Sequence, residues 1–313
     1  MSGARSGARP RLAVTVGDPR GIGPELVAAA RADAVLRARA ELIVIGPSGI
    51  AGLAPDIDVG RWSGDRAALA EAGALAGAAV ETAARMAMAG AVDGLVTAPL
   101  DKAALLAGGF DYPGHTEMLG ALAGVPVAMM LASDRLRVVL VTTHLPLREA
   151  ADAVTPEAIA RCAAITRAHL VDWFGIEHPR IALCALNPHA GDGGRFGRED
   201  DEILRPAALA AGVAGPYPAD TVFVRALRGE FDAVLAPYHD VGMTAIKVAS
   251  FGAAVNVTLG LPYPRTSPDH GTALDIAGQG IADPSSFFAA VRLCARLSMT
   301  RQALPPVTTD ASA

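Results

Sequence analysis

The sequence predicts an α/β protein: a mainly parallel sheet with helices on both faces. Two observations carry that prediction. Short apolar runs alternate with longer stretches of helical period, the pattern of strands that are covered on both sides. Several of those runs also end in polar loops bearing Pro, Gly and His, the end at which open α/β sheets gather ligands. The 313 residues suffice for two ordinary domains or one large unit. With 51% apolar but only 4% aromatic residues, the core must be built from alanine, leucine and valine.

Taken in order, Leu12–Val16 is the first strand, and it ends in Gly17-Asp18-Pro19. A helix over Pro24–Ala38 follows, opening on a proline whose missing N–H costs nothing in the first turn. Glu41–Ile45 is the next strand. The alanine-rich stretch Asp65–Ala89 reads as a buried helix. Its apolar character and the mean hydropathy of +0.34 raise the question of a membrane span. Glu71, Glu81 and Arg85 interrupt it, so no membrane segment is expected. Strands are predicted at Asp93–Thr97, Val127–Leu131 and Arg137–Thr142, then a helix over Pro156–Phe174 and a strand over Arg180–Leu186. Helices at Arg198–Ala211 and Ala219–Arg228, strands at Asp232–Leu235 and Ala253–Leu259, and a helix at Pro284–Ser298 complete the pattern.

Composition excludes some classes of function. The chain carries 27 Lys+Arg against 32 Asp+Glu, a net charge of -5, which provides no basic footprint for nucleic acid. Cys162, Cys184 and Cys294 are widely spaced, with no CxxC pair, and read as buried free thiols of a reducing compartment. The basic N-terminal residues lack an apolar run behind them, so a cytoplasmic protein with flexible tails is expected.

Three of the seven histidines, His144, His189 and His239, directly follow predicted strands. Imidazoles from three strand ends can converge on one divalent cation and leave positions open for substrate oxygens. Their spacing of 45 and 50 residues is no local metal motif, so satisfied loop histidines remain an alternative. His169 and His178 read as packing or surface residues. The Gly-rich turn Gly17–Gly23 opens a helix, and its amides are candidates to face an anion. There is no GxGxxG in the chain, so a Rossmann fingerprint is absent. The stretch Arg265–Pro284 is dense in hydrogen-bonding groups, and Asp275 is the kind of residue that holds ribose hydroxyls.

Gly21-Ile-Gly-Pro-Glu and His270-Gly-Thr-Ala-Leu-Asp-Ile-Ala-Gly resemble segments of isopropylmalate and isocitrate dehydrogenases. A fuller resemblance runs from Leu12 to Met299. Val14-Thr-Val-Gly-Asp-Pro, Thr97-Ala-Pro-Leu-Asp-Lys, Pro113-Gly-His-Thr-Glu, Thr142-Thr-His-Leu-Pro, Asn187-Pro-His-Ala-Gly, Pro237-Tyr-His-Asp and Arg265-Thr-Ser-Pro-Asp-His-Gly-Thr stand in one order. Together they are similar to the 4-hydroxythreonine-4-phosphate dehydrogenase family of vitamin B6 synthesis.

The resemblance implies two α/β/α lobes with a cleft between them, a non-Rossmann, isocitrate/isopropylmalate dehydrogenase-like fold. Residues 11–125 plus 258–313 would form the cofactor-side lobe, and 126–257 the metal and dimerisation lobe. It implies that His144, His189 and His239 ligate one divalent cation (Zn, Mg or Co). His115, Thr116, Lys247, Asn256 and Arg265 would contact the substrate, and His270 and Asp275 would contact NAD or NADP. Lys247, with Asp240, is the candidate for proton transfer. The implied reaction is oxidation and decarboxylation of 4-phosphooxy-L-threonine to 3-amino-2-oxopropyl phosphate, by a homodimer sharing its active sites. A 4-phospho-D-threonate or 4-phospho-D-erythronate 3-dehydrogenase is the alternative. Arg20, Asp101 and the segment Pro262-Tyr263-Pro264 depart from the family pattern.

Overall fold

A computed structural model describes residues 9–250 and 253–303; the two predicted tails lie mostly outside them. The first half of the chain forms strands β1 (Arg11–Thr15), β2 (Glu41–Ser48), β3 (Ile57–Arg61), β4 (Gly94–Thr97), β5 (Ala128–Ala132) and β6 (Arg137–Leu140). Strands β7 (Ile181–Cys184), β8 (Ala214–Tyr217), β9 (Ala233–Ala236), β10 (Val255–Leu259) and β11 (Arg265–Pro268) follow. The helices are α1 (Gly23–Ala32), α2 (Ala34–Arg39), α3 (Leu69–Met88), α4 (Lys102–Ala107), α5 (His115–Ala123) and α6 (Leu147–Ala153). The rest are α7 (Pro156–Asp172), α8 (Arg205–Ala211), α9 (Ala219–Leu227), α10 (His239–Ser250) and α11 (Ser285–Ala303). None of the described helices is long and apolar enough to cross a membrane.

One sheet runs through the molecule in the order β3-β2-β1-β4-β11-β10-β5-β6-β9-β7-β8. Pairing is parallel throughout except at its centre, where β11–β10, β10–β5 and β5–β6 are antiparallel. The expected parallel sheet is therefore two parallel halves of opposite direction joined by an antiparallel middle. All eight predicted strands are present within a residue or three at their ends. The sequence reading missed β3, β8 and β11. β3 lies at the sheet edge and is largely exposed, β8 contains Gly215-Pro216, and β11 (Arg-Thr-Ser-Pro) has the composition of a polar loop. The helix expected over Pro24–Ala38 is broken at Asp33. The Asp33 carboxylate accepts from the Leu36 amide at 2.8 Å and starts α2. Thr155 caps α7 and Asp101 caps α4 in the same way.

The two faces of the sheet differ. On one, a single unbroken core lies beneath α1, α2, α7, α8 and α11, with Val255, Val257 and Leu259 of β10 inside it. On the other there are two separate cores. Ile43, Ile45 and Leu95 pack under α3 and α5, while Leu131, Val138 and Leu140 pack under α9 and α10. Between them no core covers β10 and β11. Side chains alternate across a strand, so Asn256 and Thr258 of β10 leave the face that Val255 and Val257 use. Arg265 and Ser267 of β11 turn the same way, opposite Thr266, whose hydroxyl donates to the Ala290 carbonyl of α11. A cleft floored by polar strand residues is the result, with α5 on one wall and α10 on the other.

Candidate functional site

The cleft holds a cavity of about 360 Å³. One half of the sheet contributes its carboxyl-end loops, Thr97–Leu100 and Ser267–Gly271, together with Lys102 of α4 and Gly114–Glu117 at the start of α5. The other half contributes His144, His239, Met243 and Lys247, and the centre contributes Met129, Asn256 and Arg265.

Arg265 is the feature that burial alone cannot explain. Its side chain is 2% exposed and, among the described residues, forms no ion pair with a carboxylate. It donates only to two hydroxyls, from Nη1 to Thr258 Oγ1 at 2.9 Å and from Nη2 to Thr97 Oγ1 at 2.5 Å. Its Nε has no partner. Burial pushes the guanidinium down to about 10, so it still carries its charge at neutral pH. A buried cation without a counter-ion is costly, and an anion entering the cavity would supply one.

Beside it stand two further orphans, His115 Nε2 and Asn256 Oδ1, both buried and without hydrogen-bond partners. Burial first, then the charges of Arg265 and Lys102, hold His115 well below 6.5, so its imidazole is neutral at pH 7. Thr116 follows it on the first turn of α5. Lys247 reaches into the cavity from α10, and its Nζ lies 3.1 Å from Asp269 Oδ2 on the opposite rim.

On the α10 side, the rings of His144 and His239 are 5.4 Å apart between centroids. Burial, then Lys102 and His239, lower the pKa of His144, which leaves its nitrogens available as ligands. The His239 Nδ1 is 2.7 Å from Asp240 Oδ1, so the other ring nitrogen is the one free to bind a cation. This pair fits a metal in chemistry but lacks a third donor. His189 does not line the cavity. It projects, exposed, from the loop after β7, where its φ of 54° and that of Ala190, 55°, are left-handed without glycine. The buried Asp200 braces this loop by accepting from the Leu186 and Asn187 amides. Among the described residues of one chain, no three His, Cys, Asp or Glu side chains are grouped to hold a metal.

His270 lines the cavity, whereas Asp275 is exposed farther along the same loop. That loop is stapled in place. Glu25 accepts from the Gly278 and Gly280 amides at 3.3 and 3.1 Å, and Arg66 donates to the carbonyls of Leu274 and Ala277. Several amides of the Gly-rich turn are used internally. Asp18 N donates to Pro99 O, Gly21 N to Asp18 O and Ile22 N to Thr272 O. Its glycines permit close approach: a Cβ at Gly17 would sit 2.2 Å from Pro99 O. Two of the departures from the family pattern prove to be neighbours, with Arg20 paired to the buried Asp18 at 2.7 Å and 3.8 Å from Asp101. Tyr263 is buried in the core under α3 and α5, away from the cavity. Sequence reasoning missed Thr97, Thr258 and Asp269. The alternation Val-Asn-Val-Thr-Leu was the available signal for Thr258.

Comparison with known proteins finds relatives over most of the chain. The family model for pyridoxal phosphate biosynthetic protein PdxA matches residues 55–294. A 4-hydroxythreonine-4-phosphate dehydrogenase of Xanthomonas axonopodis pv. citri is 47% identical over 324 residues, covering 93% of this chain and 99% of its own length. A crystal structure of the enzyme of that name from Klebsiella pneumoniae is 36% identical with a TM-score of 0.82, over 92% of this chain and 99% of that one. A β-decarboxylating dehydrogenase of Thermococcus kodakarensis shares the fold at 19% identity and a TM-score of 0.50, over 91% of this chain and 81% of its own. The chain belongs to the PdxA family of pyridoxal phosphate biosynthetic proteins.

Proposed function

We propose that this protein is an NAD-dependent, divalent-metal-assisted dehydrogenase acting on 4-phosphooxy-L-threonine. The observation that carries the reading is the buried, unpaired Arg265 beside the orphaned His115 Nε2 and Asn256 Oδ1, in a cavity whose far wall bears paired histidines. Arg265, His115, Thr116 and Asn256 form a seat for an anionic, oxygen-rich molecule. His144 and His239 hold the cation with His189 of a second copy of this chain, which makes the enzyme a homodimer with shared sites. His270 and Asp275 face the nicotinamide dinucleotide, NAD or NADP. Residues 11–125 and 258–313 serve as the cofactor side, and 126–257 as the metal and dimer side.

Held by His144, His239 and a second copy's His189, a cation would supply Lewis acidity, and a nicotinamide beside His270 would supply a hydride acceptor. The chain's residues do the rest. Arg265 and the α5 residues fix the phosphate end, so the C3 carbon meets the cofactor in one orientation. The hydroxyl proton passes to the lone pair of Lys247 in its free-amine form, and Asp240 holds the His239 ring through Nδ1. Oxidation leaves a β-keto acid, which loses carbon dioxide, and a proton returned to the carbon gives 3-amino-2-oxopropyl phosphate. The cytoplasm, where phosphorylated metabolites are made, is the setting proposed. The test is NADH formation from 4-phosphooxy-L-threonine compared with 4-phospho-D-erythronate and 4-phospho-D-threonate. Turnover only of the latter two would replace this reading with the sugar-acid alternative.

A further inference from the structure

We infer that Asp269 is the positioning residue for Lys247, an inference that rests on the role given to that lysine above. The two come from distant parts of the fold. Lys247 lies on α10, which follows β9, and Asp269 follows β11 on the opposite half of the sheet. Their Nζ–Oδ2 distance of 3.1 Å spans the rim of the cavity. Lys247 is half exposed at 48%, whereas Asp269 is sunk to 15%. The carboxylate is thus the fixed partner and the lysine the movable one. Among the described residues, this is the one ion pair either of them makes.

A lysine ammonium is a point charge on a four-carbon stem with large rotamer freedom. Its neighbours in the cavity, Arg265 and Lys102, are cations that repel it. Among the described residues, the other carboxylate lining the cavity is Glu117, on α5. Without Asp269, Lys247 has every reason to swing out to solvent. With it, the Nζ is held at the rim of the cavity that the substrate is proposed to enter. Asp269 touches neither substrate nor cofactor in this account; it acts through Lys247.

Four variants of the full-length protein test the inference by single-turnover hydride transfer to NAD from 4-phosphooxy-L-threonine: Asp269→Asn, Asp269→Glu, Lys247→Met and the double variant Asp269→Asn with Lys247→Met. Asp269→Asn is expected to lower the rate by about 10- to 100-fold, the cost of a misplaced reacting group. The KM for NAD and the Tm should not change. Asp269→Glu, which restores the charge, should recover most of the loss. In the Lys247→Met background, adding Asp269→Asn should change the rate by less than about twofold, because the group it positions is gone. A rate within twofold of wild type for Asp269→Asn, or an equal loss with and without Lys247, overturns the inference. If Lys247→Met itself keeps wild-type turnover, the role of Lys247 fails first, and that outcome is distinct from either of these.

Discussion

Replacing Arg265 by Met should weaken substrate binding with little effect on the fold. Burial moves the guanidinium from its ordinary 12.5 to about 10, a displacement equivalent to roughly 3 kcal/mol set against the charged side chain. For a cation whose folded pKa is lowered, that penalty acts in full below about pH 10 and recedes only as the pH rises towards 12.5. It is therefore complete at pH 7. Against it stand two hydrogen bonds from the charged guanidinium to Thr97 and Thr258, each contributing about 1.5–3 kcal/mol. Methionine fills most of the space with an adaptable apolar chain. The two sides nearly cancel at the lower end of that range, so calorimetry should find a Tm unchanged or lowered by only a few degrees. Function should respond more strongly. A charge-assisted hydrogen bond to an anion contributes about 1.5–3 kcal/mol, so KM for the phosphorylated substrate should rise by about 10- to 100-fold per bond lost. Unchanged KM, or a Tm that falls by many degrees, would refute the view that the fold carries Arg265 at a cost for the sake of a ligand.

Three further outcomes are expected. His115 is held well below 6.5 chiefly by burial, so the folded chain resists a proton that the unfolded chain accepts; its contribution to stability is full above pH 6.5 and is lost as the pH falls below it. Urea titrations from pH 7 to 5 should show an acid slope that His115→Gln flattens, and equal slopes in the two proteins would count against this. His144→Ala, His189→Ala and His239→Ala should each lose bound cation by elemental analysis while keeping their Tm, because strand-end loops contribute little packing; wild-type metal content in all three would remove the ligand assignment. His144 and His239 share one wall while His189 does not, so mixing His189→Ala with His239→Ala subunits should restore some activity, and mixing His144→Ala with His239→Ala should not. Rescue in the second mixture alone would mean that the sites are shared in some other way.

The apolar strands were legible because each is buried on both faces and reads as a continuous run, as in Leu12–Thr15 and Ala233–Ala236. β11 was not, for a functional reason. Its Arg265 and Ser267 face the cavity rather than the core, so the composition that marks a site hides the strand. The antiparallel centre was equally hidden, since strand direction is fixed by connections and not by periodicity. Most of the candidate site residues do converge: His115, Thr116, His144, His239, Lys247, Asn256, Arg265 and His270 line one cavity. They are separated by up to 155 residues (270 minus 115), and motif identity rather than spacing brought them together in the reading. His189 and Asp275 stay outside it, exposed on their loops. Asp269 was present in a quoted motif, but a sequence does not say that a lysine 22 residues earlier (269 minus 247) will face it across a cleft.

The central claim is that the cavity oxidises a phosphorylated hydroxy acid with NAD and a divalent cation. One spectrophotometric experiment tests it most directly: NADH formation on adding 4-phosphooxy-L-threonine to protein stripped with a chelator, then repeated after Zn, Mg or Co is returned. The stripped protein should form no NADH, restoring the cation should give NADH with matching carbon dioxide release, and Arg265→Met should give both at least about tenfold more slowly at a substrate concentration below the wild-type KM. Full turnover by the stripped protein, or no turnover with any of the three cations, would contradict it.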